Sequence, residues 1–170
     1  MIHYLSKDDF RVLTAIEMGM KNHELVPAPL IQSIAKLKRA NTFKIIQNLL
    51  KHKLIMHKNT KCDGYALNYQ GYDYLALRVF IKRGHITKIG NKFGVGKESD
   101  IYLCETASGE NIIIKLERLG RTSFRAVKNK RDYLKNRTSF SWFYMSRLAA
   151  VKEFAFMKAL YDVSICFKSI

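Results

Sequence analysis

One stretch of the chain limits its fold more than any other. It reads Gly94-Val95-Gly96-Lys97-Glu98-Ser99-Asp100-Ile101-Tyr102-Leu103, then a polar run, then Ile112-Ile113-Ile114-Lys115. The runs read as strand, glycine-rich turn, strand, hairpin, strand, with the hairpin at Thr106-Ala107-Ser108-Gly109-Glu110-Asn111. The expected strands are Ile86 to Phe93, Asp100 to Glu105, and a third ending at Lys115-Leu116. Glycine at 94 and 96 lets a backbone turn tightly and close over a ligand with no side chain in the way. A lysine on the neighbouring strand can then pair with phosphate oxygens. A plain hairpin with glycine at a bend gives the same pattern, so the turn alone leaves both readings open.

Protein kinases cover ATP with G-x-G-x-x-G-x-V. Here Ser99 stands at the third glycine and Ile101 at the valine. Lys115 follows Gly94 by 21 residues, and Glu153 is a carboxylate that can meet it. Glu153 lies in a helix predicted from Ser141 or Trp142, with Tyr144, Leu148, Val151, Ala155, Met157 and Leu160 at helical intervals. A lone acid on a helix is usually solvated; facing the sheet, it would form the lysine–glutamate pair that kinases need.

The N-terminal part has a different rhythm. Ser6 can cap a helix from Lys7, with Asp8 and Asp9 in its first turn, Phe10, Leu13 and Ile16 inward, and Gly19 loosening its end. Pro27 and Pro29 mark a loop before a short helix with Leu30, Ile31, Ile34 and Ala35. Asn41 or Thr42 can cap a third helix carrying Phe43, Ile46, Leu49 and Leu50 on one face. A strand at Leu54–Lys58, a polar turn at Asn59–Gly64 and a returning strand at Tyr65–Leu67 precede a helix from Tyr69 to Ile81. That order predicts a winged helix-turn-helix, whose third helix enters a groove and whose hairpin touches the backbone. Lys36, Lys38, Arg39, Lys44 and Lys51, with Lys58 and Lys61 on the wing, would contact nucleic acid. A winged helix that docks protein, its lysines merely solvated, stays open beside this.

Charge favours a polyanionic partner. The 170 residues carry 30 Lys and Arg against 14 Asp and Glu, a net +16. The excess is shared: 14 basic against 6 acidic residues up to His85, and 16 against 8 beyond it. Lys82–His85 reads as a linker. Arg118 to Arg137 holds eight basic residues and one acid, Asp132, a density that resists burial. It reads as a solvated segment, or as one that orders on nucleotide, RNA or a ribosomal surface, with Phe124, Tyr133, Phe140 and Trp142 able to stack on bases. Cys62, Cys104 and Cys166 form no C-x-x-C pair, and no histidine shows ligand spacing, so no metal site is expected. The start is unlike a signal peptide, and no apolar run reaches a membrane span.

Three runs carry a family resemblance. Gly94-x-Gly96-Lys97-Glu98-Ser99-Asp100, then Leu116-x-Arg118-Leu119-Gly120-Arg121-Thr122-Ser123-Phe124-Arg125, then Ser146-Arg147-Leu148-Ala149-Ala150-Val151-Lys152-Glu153-Phe154-Ala155-Phe156-Met157 resemble the Rio atypical protein kinases. They are most similar to the Rio-two subfamily, which carries a winged helix before its kinase domain. The resemblance implies an α+β chain: a winged helix-turn-helix at 1–83 and a partial kinase N-lobe of three antiparallel strands and helix C at 86–160. A flexible loop would span 118–141, and 161–170 would be an unmatched tail.

The resemblance implies ATP as cofactor, held by Gly94, Val95, Gly96, Lys97, Glu98 and Ser99. Lys115 would sit on the phosphates, Glu153 would hold Lys115, and Ile101 would lie near the adenine. It implies autophosphorylation in the loop, with Ser123, Ser139 and Ser141 as candidates. It also implies action in the cytoplasm, with passage through the nucleus, on the pre-small-ribosomal-subunit particle and its rRNA. The departure comes after Leu160. The chain contains no H-x-D-x-x-x-x-N and no D-F-G-like acid. The family's catalytic residues and its Mg²⁺ ligands are therefore absent, and the chain, read as truncated, is expected to be inactive alone. A non-catalytic basic adaptor for pre-ribosomal RNA or protein is the alternative, and a DNA-binding regulator a third reading.

Overall fold

The computed structural model describes residues 4–59, 63–119 and 142–167. They fall into two compact units, Met1–Ile86 and Thr87–Ile170.

In the first unit Ser6 caps helix α1 (Lys7–Gly19). Its Oγ accepts from the Asp9 amide at 3.1 Å, while Asp9 Oδ2 accepts from the Ser6 amide at 2.7 Å. This reciprocal box satisfies two amides the helix leaves without partners. Phe10, Val12, Leu13, Ala15 and Ile16 of α1 are buried. Helix α2 (Ala28–Ala35) ends on Lys36, which is left-handed at φ 53°. Arg11 of α1 donates to the carbonyls of Ala35 and Lys36, at 2.6 and 3.1 Å, and so satisfies that helix end. Helix α3 (Arg39–Lys51) leads into strands β1 (Ile55–Asn59) and β2 (Asp63–Leu67), paired antiparallel with Ile55 opposite Leu67. Val26 adds a one-residue bridge to Tyr65. Helix α4 (Tyr69–Lys82) starts on Asn68, whose side chain accepts from the Gly71 amide at 3.0 Å. Leu13, Ile16, Val26, Ile31, Ile46, Leu49, Leu54 and Leu67 close the core. This is the order of a winged helix-turn-helix.

Three details differ from the sequence reading. Helix α3 begins at Arg39, not at Asn41 or Thr42. Thr42 is 3% exposed and its hydroxyl donates to the Lys38 carbonyl, so it caps nothing. Phe43, expected in the core, is 59% exposed. The buried stripe is Thr42, Ile46 and Leu49, and Phe43 lies about 100° around the helix from Thr42. Helix α1 does end at Gly19, but packing and not looseness is what needs the glycine. Gly19 is buried against Val26, and an added Cβ would come 2.5 Å from Val26 Cγ1.

The second unit is a three-stranded antiparallel sheet with one helix. Its strands are β3 (Lys88–Val95), β4 (Ser99–Glu105) and β5 (Asn111–Glu117), in that spatial order. The register of β3 shifts twice between Ile89 and Gly94. Gly109, at φ 82°, makes the β4–β5 turn. Helix α5 (Trp142–Phe167) buries Met145 and Ala149 near its start. There Ser146 Oγ accepts from the Leu119 amide at 3.1 Å and donates to the Trp142 carbonyl at 2.9 Å. From Val151 to Val163 its apolar side chains are largely exposed, Phe154 and Phe156 among them. The helix continues past Leu160 to Phe167, into the stretch expected as an unmatched tail.

Arg118 is the other surprise. It was expected to open a solvated basic run, yet it is 8% exposed, with Nε 3.2 Å from the buried Asp100 carboxylate. Residues 120–141, with Ser123, Ser139 and Ser141 among them, lie outside the described residues, as does Lys61.

Candidate functional site

The sheet brings Gly94, Ile101 and Lys115 into one row, because Gly94 pairs with Ile101 and Ile101 with Lys115. Directly opposed residues of antiparallel strands project from the same face. A Cβ at Gly94 would touch Ile101 Cδ1 at 3.9 Å, an ordinary contact. At Gly96 it would meet Ser99 Oγ at 3.4 Å. Neither glycine lies in the left-handed region, so the turn itself does not demand glycine, contrary to the sequence reading. What the two glycines provide is backbone left uncovered by side chains.

The turn is fastened in place. The Gly96 amide donates to the Ser99 carbonyl at 2.8 Å, and the Arg118 amide donates to the Glu98 carbonyl at 2.5 Å. Arg118 also pairs with Asp100 through its side chain, and Lys92 Nζ reaches the other oxygen of Asp100 at 3.5 Å. Ser99 is buried, Glu98 partly so, while Val95, Gly96 and Lys97 are exposed. Sequence reasoning missed the Asp100–Arg118 pair. Its one signal was that the two residues fall in the first and second of the runs carrying the family resemblance.

Lys115 is the centre of the charge arrangement. Its Nζ lies 2.5 and 2.6 Å from the two Glu153 oxygens and 3.4 Å from Glu117 Oε1. Burial works against the ammonium, but the hydrogen bond to Glu153 and the charges of Glu117 and Glu153 outweigh it. Lys115 therefore sits above its ordinary 10.5 and is charged at neutral pH. Glu117 is pushed up, first by its own burial. Lys115 pulls it back, and the nearby Glu153 carboxylate adds to the rise. Glu117 is a third member of the cluster that the sequence reading did not include. Together the row and the cluster present an oriented cation and an apolar surface at Ile101. Such a surface can hold an anion next to a flat ring.

On the first unit Lys36, Lys38, Arg39, Lys44, Lys51 and Lys58 are all exposed. Lys36 and Lys38 flank the α2–α3 turn, Arg39 opens α3, Lys44 and Lys51 lie along it, and Lys58 is on β1.

Comparison with known proteins joins both units to one family. Residues 2–83 match the family model "Rio2, N-terminal", and residues 100–167 match "RIO domain". The chain is 58% identical over 161 residues to serine/threonine-protein kinase rio2 of Dictyostelium discoideum, covering 95% of this chain and 31% of that one. It is 52% identical over 162 residues to the Schizosaccharomyces pombe rio2 kinase, covering 95% of this chain and 47% of that one. The crystal structure of the Rio2 kinase–ADP/Mg²⁺–phosphoaspartate complex from Chaetomium thermophilum superposes with a TM-score of 0.79 at 52% identity. The match covers 95% of this chain and 48% of the other. The chain thus spans between 31% and 48% of the length of these relatives.

Proposed function

The chain belongs to the Rio2 family of serine/threonine kinases, and on that premise we propose that its second unit holds ATP by the phosphates while its winged helix holds RNA of the pre-small-ribosomal-subunit particle. The observation that carries the nucleotide half is the Lys115–Glu153 pair at 2.5–2.6 Å, in register with Gly94 and Ile101. Glu153 holds the ammonium through both of its oxygens, and a phosphate oxygen would take the place of Glu117, 3.4 Å away, as a further acceptor. The exposed turn at Val95, Gly96 and Lys97 would lie over the same phosphates, with no bulky side chain at Gly94 or Gly96, and Ile101 offers an apolar contact to the base. ATP, when bound, supplies the transferable phosphoryl group; this chain's residues bind and orient it. Mg²⁺ is a different matter. Among the described residues no three His, Cys, Asp or Glu side chains group as metal ligands. The ion does not fit the residues described, and no step is assigned to it.

The whole kinase would act in the cytoplasm, with passage through the nucleus, and phosphorylate itself at Ser123, Ser139 or Ser141. This chain alone is expected to bind nucleotide without transferring phosphate. Binding of a fluorescent ATP analogue to the 170-residue chain tests the site. Lys115→Ala removes charge-assisted hydrogen bonds and is expected to weaken binding about 10- to 100-fold. Equal affinity of the two proteins would overturn the assignment.

A second reading is the basic adaptor, which the row of exposed cations on the first unit favours. It expects RNA binding that falls steeply with salt and ignores ATP. Among the described residues no helix is long and apolar enough to cross a membrane.

A further inference from the structure

Helix α3 turns one face away from the core, and that face is more than a set of cations. Its outward positions are Ala40, Phe43, Lys44, Gln47 and Lys51, all exposed, with Arg39 at the helix start. Phe43 sits in the middle, one turn after Arg39 and one turn before Gln47, and is 59% exposed. Packing explains the inward side of α3, where Thr42, Ile46 and Leu49 are buried. It does not explain an aromatic ring in water among basic and amide side chains.

We propose that Phe43 is a stacking platform for an unpaired base of single-stranded RNA, flanked by phosphate contacts from Arg39, Lys44 and Lys51. The proposal rests on the RNA-binding reading of the winged helix and names the form of RNA it takes. In a duplex the faces of the bases are hidden by their neighbours, and a groove presents mainly polar edges. A phenyl ring there would cover donors and acceptors that it cannot satisfy. An unpaired base exposes its π face, and stacking on an aromatic side chain is tolerant of base identity. Gln47, one turn further on, has the amide donor and acceptor to meet the edge of that base. The cations around Phe43 match the charge of the strand and not that of a basic or apolar partner.

The test is fluorescence anisotropy of the full 170-residue chain with a labelled short single-stranded RNA and with the same sequence annealed to its complement. Wild type is expected to prefer the single strand. Phe43→Ala is expected to weaken single-strand binding roughly 5- to 100-fold. The slope of affinity against salt should stay unchanged, because no phosphate-contacting cation is lost. Phe43→Trp should restore binding and Phe43→Leu should not, which separates stacking from simple apolar contact. Phe43 is outside the core, so circular dichroism of the four proteins should coincide. Single-strand binding unaffected by Phe43→Ala, or a preference for duplex, would overturn the platform while leaving RNA contact standing. No RNA binding by wild type at low salt would overturn both. Binding to an isolated ribosomal protein that is lost in Phe43→Ala, with RNA binding intact, would assign the face to protein docking instead.

Discussion

Asp100→Ala should unfasten the second unit while leaving the first intact. Asp100 is 4% exposed and Arg118 8% exposed. The substitution removes a carboxylate 3.2 Å from Arg118 Nε and 3.5 Å from Lys92 Nζ. Lys92, 41% exposed at its side chain, can turn to water and lose little. Arg118 cannot: its side chain is 10% exposed. Breaking a buried pair by deleting one partner costs about 3–5 kcal/mol, because the remaining charge is left without compensation. Whole domains are stable by only about 5–15 kcal/mol. The loss is therefore a large share of what holds β4, β5 and the turn at Glu98. Native-state hydrogen exchange reads each unit separately. Amides of β4 and β5 are expected to lose protection by about the full amount, and amides of α1 and α3 to keep theirs. Replacing both partners, as Asp100→Leu with Arg118→Met, should cost far less than the single substitution, since no charge is then buried alone. The reasoning is refuted if Asp100→Ala shifts β4 exchange by under about 1 kcal/mol, the range of an exposed pair. Equal loss in both units would also refute it.

Gly19→Ala should destabilise the first unit by about 1–3 kcal/mol in urea unfolding, despite alanine's better helix propensity of about 1 kcal/mol. The new methyl group would collide with the buried Val26, and unchanged or raised stability would contradict that packing. Lys115 should titrate above 10.5, followed by NMR of its side-chain carbons, and Glu153→Gln should bring it down. The sign is fixed by the direction of the shift. A lysine raised in the folded state stabilises the fold below its unfolded pKa, and that contribution is lost as pH rises through the folded value. A wild-type Lys115 titrating at or below its ordinary value would break the link between the Glu153 contact and the shift.

Much of this protein was legible in the chain itself. Local signals at fixed spacing carried the elements: Ser6 and Asp9 for the start of α1, Gly109 for the β4–β5 turn, and the apolar period for the core of α1. In α5 the expected Val151, Ala155, Met157 and Leu160 are exposed, and Met145 and Ala149 are buried instead. The strands ended within a few residues of their expected limits, because glycine and polar runs interrupt backbone pairing wherever they occur. Lys115 and Glu153 could be named because each belongs to a pattern whose chemistry is known. Their contact was expected from the kinase pattern and the family resemblance, not from local spacing, since 38 residues separate them along the chain and packing of α5 on β5 joins them.

What tertiary structure decided alone was the fate of side chains whose type admits two environments. Arginine in a basic run looks solvated, yet Arg118 is buried, because Asp100 on the neighbouring strand compensates its charge. Phenylalanine at helical spacing looks like core, yet Phe43 faces water, because the core accepted the smaller Thr42 one residue earlier. Gly19 looks like a loose helix end, yet it is also a space that Val26 fills. Sequence fixes periodicity and charge, which are properties of neighbours along the chain. Burial is a property of neighbours in space, and a one-residue offset around a helix is enough to exchange core for surface.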